Sequence, residues 1–308
     1  MPEAIEQVVC PACSDPVPKA VGKLAKIDGL IPLADPGYLF HCGTCGLFFR
    51  RPYPDENELR RAYSELKADT WPPTSRHDFA IAARIIGGWD GVRNVLDVGC
   101  FTGDFLAMLP DGIQRYGIEP SSEVHAIAAR NRVTIVAETI EAMSSERATF
   151  DVITMIDVIE HLPRPFEALQ RLARYLTPGG RFVIATGNTA ALPWRMMRLN
   201  YWYYFPEHVS FFNPKWFHWA SSRLGLVLTE RHDFSHDSPD WRLRLRQIGY
   251  AAAYQLYAKA APLGFVQKGL SRVYPFSRVT LGSPLPRTSA WEDHFLVCLQ
   301  SREGESRE

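Results

Sequence analysis

The sequence predicts an α/β chain built on a doubly wound sheet, with a small cysteine-rich module before it and a helical insertion near its end. Three observations predict this. Apolar, β-branched runs alternate with helix-forming runs from Val92 to Thr186. Two Cys-x-x-Cys pairs stand ahead of that region, and residues 241–291 carry eight Lys and Arg with no Asp or Glu.

At 308 residues, the chain can bury a large core and hold one α/β domain plus a small module. Its 46% hydrophobic and 22% charged content is that of an ordinary globular protein. The net charge of zero gives no global field toward nucleic acid. No signal-type leader follows Met1 and no 18-residue uncharged apolar run occurs. The expectation is a cytoplasmic protein with reduced cysteines, whose spacing is read as metal chemistry.

The first 52 residues hold Cys10-Pro-Ala-Cys13 and Cys42-Gly-Thr-Cys45, separated by 28 residues. Each knuckle presents two thiolates to one ion, and two knuckles give the tetrahedral sulfur set that zinc prefers. Such a closed site is structural, so residues 1–52 read as a zinc-ribbon-like module. Pro52-Tyr53-Pro54 breaks the chain, Asp55 caps a helix over Glu56–Leu66, Trp71-Pro72-Pro73 breaks it again, and a helix over Asp78–Ile86 ends at Gly87-Gly88. Residues 53–90 are thus linking helices.

The main domain is expected over residues 91–300. Val92 to Val98 is a buried strand that enters a glycine-rich elbow, and Phe105–Leu109 continues as helix. The elbow is expected to leave backbone N–H groups unpaired at a helix N-terminus. Arg115–Ile118 is a second strand ending at the acid Glu119, 20 positions after Gly99. An acid there can accept two hydrogen bonds from ribose hydroxyls. Helix Ser121–Arg130, strand Val133–Val136, a loop and short helix over Thr139–Met143, and an apolar strand Phe150–Ile156 follow. After Asp157 to His161, a helix over Phe166–Leu176 stops at Thr177-Pro178-Gly179-Gly180, and Arg181–Thr186 is the fifth strand. Leu226–Thr229 and an edge strand His294–Leu299 complete seven strands.

A phosphate-binding loop would show G-x-G-x-x-G, whereas this loop reads D-x-G-x-x-x-G from Asp97 to Gly103. A carboxylate at the strand end repels phosphate and suits an ammonium. This spacing, followed in order by Glu119, by F-D-x-I, by D-V-I-E-H-L and by L-x-P-G-G, resembles the motifs of class I S-adenosyl-L-methionine (SAM) dependent methyltransferases over Asn94–Gly187. The resemblance implies a Rossmann-like seven-stranded fold, a SAM cofactor and a small-molecule acceptor. It implies that Asp97 and Gly99 contact the methionine end, Phe101 and Gly103 close the loop, Glu119 holds the ribose, Thr139 and Ile140 flank adenine, and Asp157 sits beside the sulfonium. Asn-Pro-Pro-Tyr, the mark of enzymes that methylate a flipped base nitrogen, does not follow the fourth strand.

Residues 193–219 hold eleven aromatics in 27 positions, within an acceptor-side segment placed at 188–222. Phe205-Pro206-Glu207-His208-Val209-Ser210-Phe211-Phe212 resembles the E-H-x-x-[FY]-F segment of zinc-containing methyltransferases, deoxysugar C-methyltransferases among them. In that sugar branch a Tyr and a His serve proton transfer; His208 matches, and Phe205 stands where the Tyr would be. An oxygen or carbon acceptor must lose a proton, so His208 and then His161 are the candidate bases. The insertion at 234–290 is basic, and Leu245, Ile248, Gly249, Ala252, Leu256 and Ala260 suit an amphipathic helix against an anionic membrane or a phosphate-bearing lipid. Residues 301–308 are a polar, disordered tail.

The expected function is methyl transfer to an oxygen or carbon of a small molecule, a saccharide or lipid-linked intermediate. An RNA methyltransferase gripping RNA through its zinc module is a second reading; a non-catalytic SAM-binding partner is a third.

Overall fold

The structure is a computed structural model that describes residues 8–16, 18–70, 76–144, 149–236, 240–260, 262, 264–270, 272 and 285–301. The expected break at Trp71-Pro72-Pro73 and the tail beyond Ser301 lie outside these residues. In chain order the elements are β1 (Lys19–Lys23), β2 (Tyr38–His41), β3 (Phe48–Arg51), α1 (Glu56–Ser64), α2 (His77–Gly87), β4 (Asn94–Val98), α3 (Asp104–Ala107), β5 (Gln114–Ile118), α4 (Ser122–Arg130), β6 (Val133–Ala137) and β7 (Phe150–Ile156). Then come α5 (Pro165–Leu172), β8 (Leu176–Gly187), α6 (Leu192–Met197), β9 (Ser210–Phe211), α7 (Pro214–Arg223), β10 (Leu226–Phe234), α8 (Trp241–Lys259), α9 (Gly264–Leu270) and β11 (His294–Ser301).

Seven strands form one sheet in the order β10-β11-β8-β7-β4-β5-β6. β4 pairs in parallel with both β5 and β7, so the strand order reverses there and a crevice opens beyond their carboxyl ends. Val95, Leu96, Ile153, Met155, Val183 and Ile184 are fully buried in the central strands, which explains their continuous apolar runs. β11 is antiparallel to both β8 and β10, so it lies inside the sheet, not at the edge expected for His294–Leu299. Its run His294–Leu299 is buried throughout, as an inner strand requires.

Two local expectations change. The Thr177-Pro178-Gly179-Gly180 turn is absorbed into β8, whose start pairs Leu176 with Phe150 across a register shift. The preceding helix therefore ends earlier, at Leu172, with a short 3₁₀ turn over Ala173–Tyr175. Residues 139–143 form turns without a helix.

A second, four-stranded sheet runs β1-β2-β3-β9. The cysteine-rich segment supplies three of its strands and the aromatic segment the fourth, through Phe48↔Phe211 and Phe49↔Ser210. Cys10, Cys42, Cys45, Leu47 and Phe49 belong to the same buried cluster as Leu96, Ile153 and Trp216, so the N-terminal sheet shares the main core.

Helix α8 packs on the molecule by the face opposite Leu245 and Leu256. Gln247, Ala251, Ala253, Tyr254 and Tyr257 are buried, while Trp241, Leu245 and Leu256 are more than half exposed. The helix packs against α6, where the Gln255 amide donates to the Met197 carbonyl at 3.0 Å.

Candidate functional site

One cavity of about 1900 Å³ opens over the carboxyl ends of β4, β5 and β7. Its size exceeds that of an ordinary single-ligand site, roughly 300–1,000 Å³. Asp97, Gly99, Phe101, Glu119, Thr139, Ile140 and Asp157 line it, together with Glu160, His161 and His208. Gly103 does not. It caps α3 from behind in a left-handed conformation, where an added Cβ would lie 2.7 Å from Val133 Cγ2.

The elbow's N–H groups are not free, as the sequence led one to expect. Those of Gly99 and Cys100 donate to the Ile118 carbonyl at 2.8 and 3.2 Å, and that of Gly103 to the Cys100 carbonyl at 2.8 Å. The Phe101 N–H donates to Glu119 Oε2 at 2.9 Å and the Ser121 N–H to Glu119 Oε1 at 2.8 Å. Glu119 thus ties the elbow to the start of α4 before any ligand arrives. With these four donors engaged, the ligand group the elbow presents is the Asp97 carboxylate. Burial pushes the Asp97 carboxyl up to about 7, against the bond from Thr154 Oγ1 at 2.5 Å and the charge of Arg76.

The other end of the cavity is built from histidines and acids. His208 Nδ1 lies 2.9 Å from the Tyr203 carbonyl, its ring 4.6 Å from that of His161 and 4.3 Å from that of Tyr203. His161 Nδ1 meets the Tyr63 phenol at 2.7 Å. Burial, reinforced by His161, holds His208 well below the ordinary histidine value, and burial brings His161 down to about 4. Both rings are therefore neutral at pH 7. Glu160 is fully buried, accepts hydrogen bonds from the Tyr203 phenol and from the Thr186 hydroxyl, the latter at 2.9 Å, and is pushed up to about 7 by burial. Tyr203, two residues before Phe205, thus places its ring against His208, a position the motif pattern does not mark.

Tyr63, Arg76, Tyr203 and His236 are among the cavity residues to which sequence reasoning gave no role. Arg76 reaches both Asp78 and, at 2.5 Å, Asp157 Oδ2. Although burial opposes it, that guanidinium holds Asp157 down to about 2. No local pattern around Arg76 or His236 announces either role, because each partner lies far away in sequence.

Behind the cavity, the sulfurs of Cys10, Cys13, Cys42 and Cys45 all lie within 4.8 Å of one another. Cys10 and Cys45 are 3.6 Å apart and Cys13 and Cys42 3.5 Å, close to the ~3.8 Å edge of a zinc–thiolate tetrahedron. The donor set fits zinc. Asn213 braces it: the side chain accepts from the Trp216 N–H to cap α7 and donates to the Gly46 carbonyl at 2.7 Å.

A profile described as "Methyltransferase domain" matches residues 56–231. Ubiquinone biosynthesis O-methyltransferase from Vibrio cholerae is 33% identical over 105 residues, 31% of this chain and 42% of that protein. The protein of the same name from Cronobacter sakazakii is 31% identical over 164 residues, 47% of this chain and 65% of that one. The chain spans about half the length of the curated relatives it matches. Among solved structures, a chain from the complex of the Haloferax volcanii Trm112 methyltransferase activator with a candidate methyltransferase superposes with a TM-score of 0.50 at 15% identity, covering 76% of this chain and 92% of that chain. That likeness shows the fold. With its matched span of more than half its length, the chain belongs to the methyltransferase-domain family.

Proposed function

We propose that the chain transfers the methyl group of SAM to an oxygen atom of a small, lipid-linked acceptor. The observation that carries this is one cavity with Asp97 and Glu119 at one end and His208, His161 and Glu160 at the other. SAM supplies the activated methyl group. Asp97 is placed for an ammonium, and the remaining lone pairs of Glu119 for ribose hydroxyls. The Tyr203 carbonyl accepts from His208 Nδ1–H, leaving Nε2 with the lone pair that takes the acceptor's proton. Two groups held in one water-poor cavity need little beyond alignment for methyl transfer. The oxygen acceptor draws support from relatives named as O-methyltransferases.

The lipid-linked class draws on α8. Trp241, Leu245 and Leu256 fall on one exposed face, Phe265 of α9 is 80% exposed, and Arg242, Arg246 and Lys259 flank them without an acid in the helix. No described helix is long and apolar enough to cross a membrane. This face suits the surface of an anionic bilayer, where apolar side chains enter and basic ones meet headgroups. Cys10, Cys13, Cys42 and Cys45 are proposed to hold one structural zinc ion.

Calorimetric titration with S-adenosylhomocysteine, joined to mass spectrometry of lipid extracts incubated with SAM and the chain, tests the reading. Heat of binding and a product one methylene heavier are expected. Binding without any methylated product would leave a non-catalytic SAM-binding protein instead.

A further inference from the structure

A second cluster of ligand-type side chains sits in the wall of the same cavity. One ligand atom each from Asp157, His236 and His294 lies within 4.8 Å of the others. Three ligands about 2.1 Å from one ion sit about 3.0 to 3.6 Å apart, so these three need close by at most about 1.8 Å, within the reach of side-chain rotation. Two of the donors are otherwise unaccounted for: Asp157 Oδ1 and His294 Nε2 are buried and have no hydrogen-bond partner. Unpaired buried polar atoms are costly, and two on residues of one cluster indicate something that satisfies both.

The surroundings match a cation. His294 Nδ1 lies 2.8 Å from Asp293 Oδ1, and Asp293 is fully buried with its other oxygen engaged by the Tyr201 phenol. A carboxylate behind an imidazole fixes the tautomer that presents Nε2 as a ligand and raises its basicity. The His236 and His294 rings lie 4.2 Å apart, and His236 with Asp157 reaches the cavity surface. Asp78, Asp157 and Asp293 set three negative charges against Arg76; with neutral imidazoles, two negative charges remain, matching a divalent ion.

The other trio, Glu160, His161 and His208, differs in one respect. Glu160 already accepts from Tyr203 and Thr186, and the Nδ1 atoms of both histidines are engaged.

We propose that Asp157, His236 and His294 form a binding site for a hard or borderline divalent cation such as Mn2+ or Fe2+. Two imidazoles and one carboxylate leave coordination positions open, and here they face the cavity. An acceptor oxygen bound there would lose its proton more readily. That use rests on the methyl-transfer reading; the cation site itself does not.

Mn2+ titrated into the zinc-loaded chain, followed by the electron paramagnetic resonance signal of the free ion, tests the site, since thiolates compete poorly for manganese. One tight equivalent is expected in the wild type, with affinity at least tenfold weaker in His236→Ala and in Asp157→Asn. His236 lies outside any helix or strand, so its loss spares the fold; circular dichroism of both variants checks this. No Mn2+ uptake by the wild type, or uptake that neither variant weakens, overturns the site. In the first case the cluster is an imidazolium His294 held between Asp293 and Asp157. Loss of S-adenosylhomocysteine binding with manganese binding intact would instead strike only the methyl-transfer reading.

Discussion

His208 Nδ1 stands 2.9 Å from the carbonyl oxygen of Tyr203, and because a carbonyl can only accept, the ring's proton is fixed on that nitrogen. Nε2 is left as a base at neutral pH. His208→Ala is expected to bind S-adenosylhomocysteine within about twofold of wild type while turnover falls at least tenfold. Stopped assays with the proposed acceptor check it, and unchanged turnover removes His208 from the chemistry.

The same burial sets the acid limb of the pH profile. Since burial depresses the pKa of both His208 and His161, their base forms persist as pH falls past the ordinary histidine value of about 6.5. Turnover under saturating SAM should therefore stay level from pH 8 down to about 6 and fall only at more acid pH. A midpoint at the unperturbed value would mean that neither ring is the base.

Asp97 predicts a dependence of the same sign for the cofactor, beginning at higher pH. Its carboxyl, raised to about 7, is protonated in the free chain below that pH and must ionise to pair an ammonium. Affinity for S-adenosylhomocysteine should rise about tenfold per pH unit up to pH 7 and level off above it. Calorimetry in buffers of different ionisation enthalpy should register a proton released on binding at pH 6, and Asp97→Asn should abolish it.

Removing one thiolate tests the metal centre. Cys42→Ser, at a fully buried position, is expected to lower zinc content from about one equivalent to none and the unfolding midpoint by at least about 5 °C. Elemental analysis and calorimetric melting read the two effects, and a wild-type chain purified without zinc at full stability would refute the assignment.

For α8, Leu245→Asp with Leu256→Asp places charge on the exposed stripe without touching its buried face. Flotation with anionic vesicles should drop several-fold in the double variant and in high salt, and the wild type should float poorly with neutral vesicles. Equal flotation of wild type and variant would show that the stripe does not meet the bilayer.

What the sequence made legible is what local chemistry determines. The β4 elbow, the acid after β5 and the apolar run of β7 announce themselves because strand, glycine turn and acid are contiguous, and Asp55 caps α1 as its spacing demands. Placement that depends on distant partners was not legible. The inner position of β11 is decided by pairing with β8 and β10, the buried face of α8 by its packing on α6, and the engaged elbow amides by Ile118 and Glu119. Tyr203 escaped for a related reason: motif reading looked at position 205, whereas the turn over 201–204 carries the phenol of residue 203 onto Glu160.

The pairing of β3 with β9 reaches beyond architecture. Arg50 in β3 donates to the Tyr204 and Phe205 carbonyls at 2.7 and 2.9 Å, and its own N–H holds the Val209 carbonyl, so the loop carrying His208 hangs from the strand that follows the second cysteine knuckle. An oxidant that converts those thiolates to sulfenates or disulfides would loosen that anchor, and methyl transfer would fade under peroxide although no residue touching the donor had been altered.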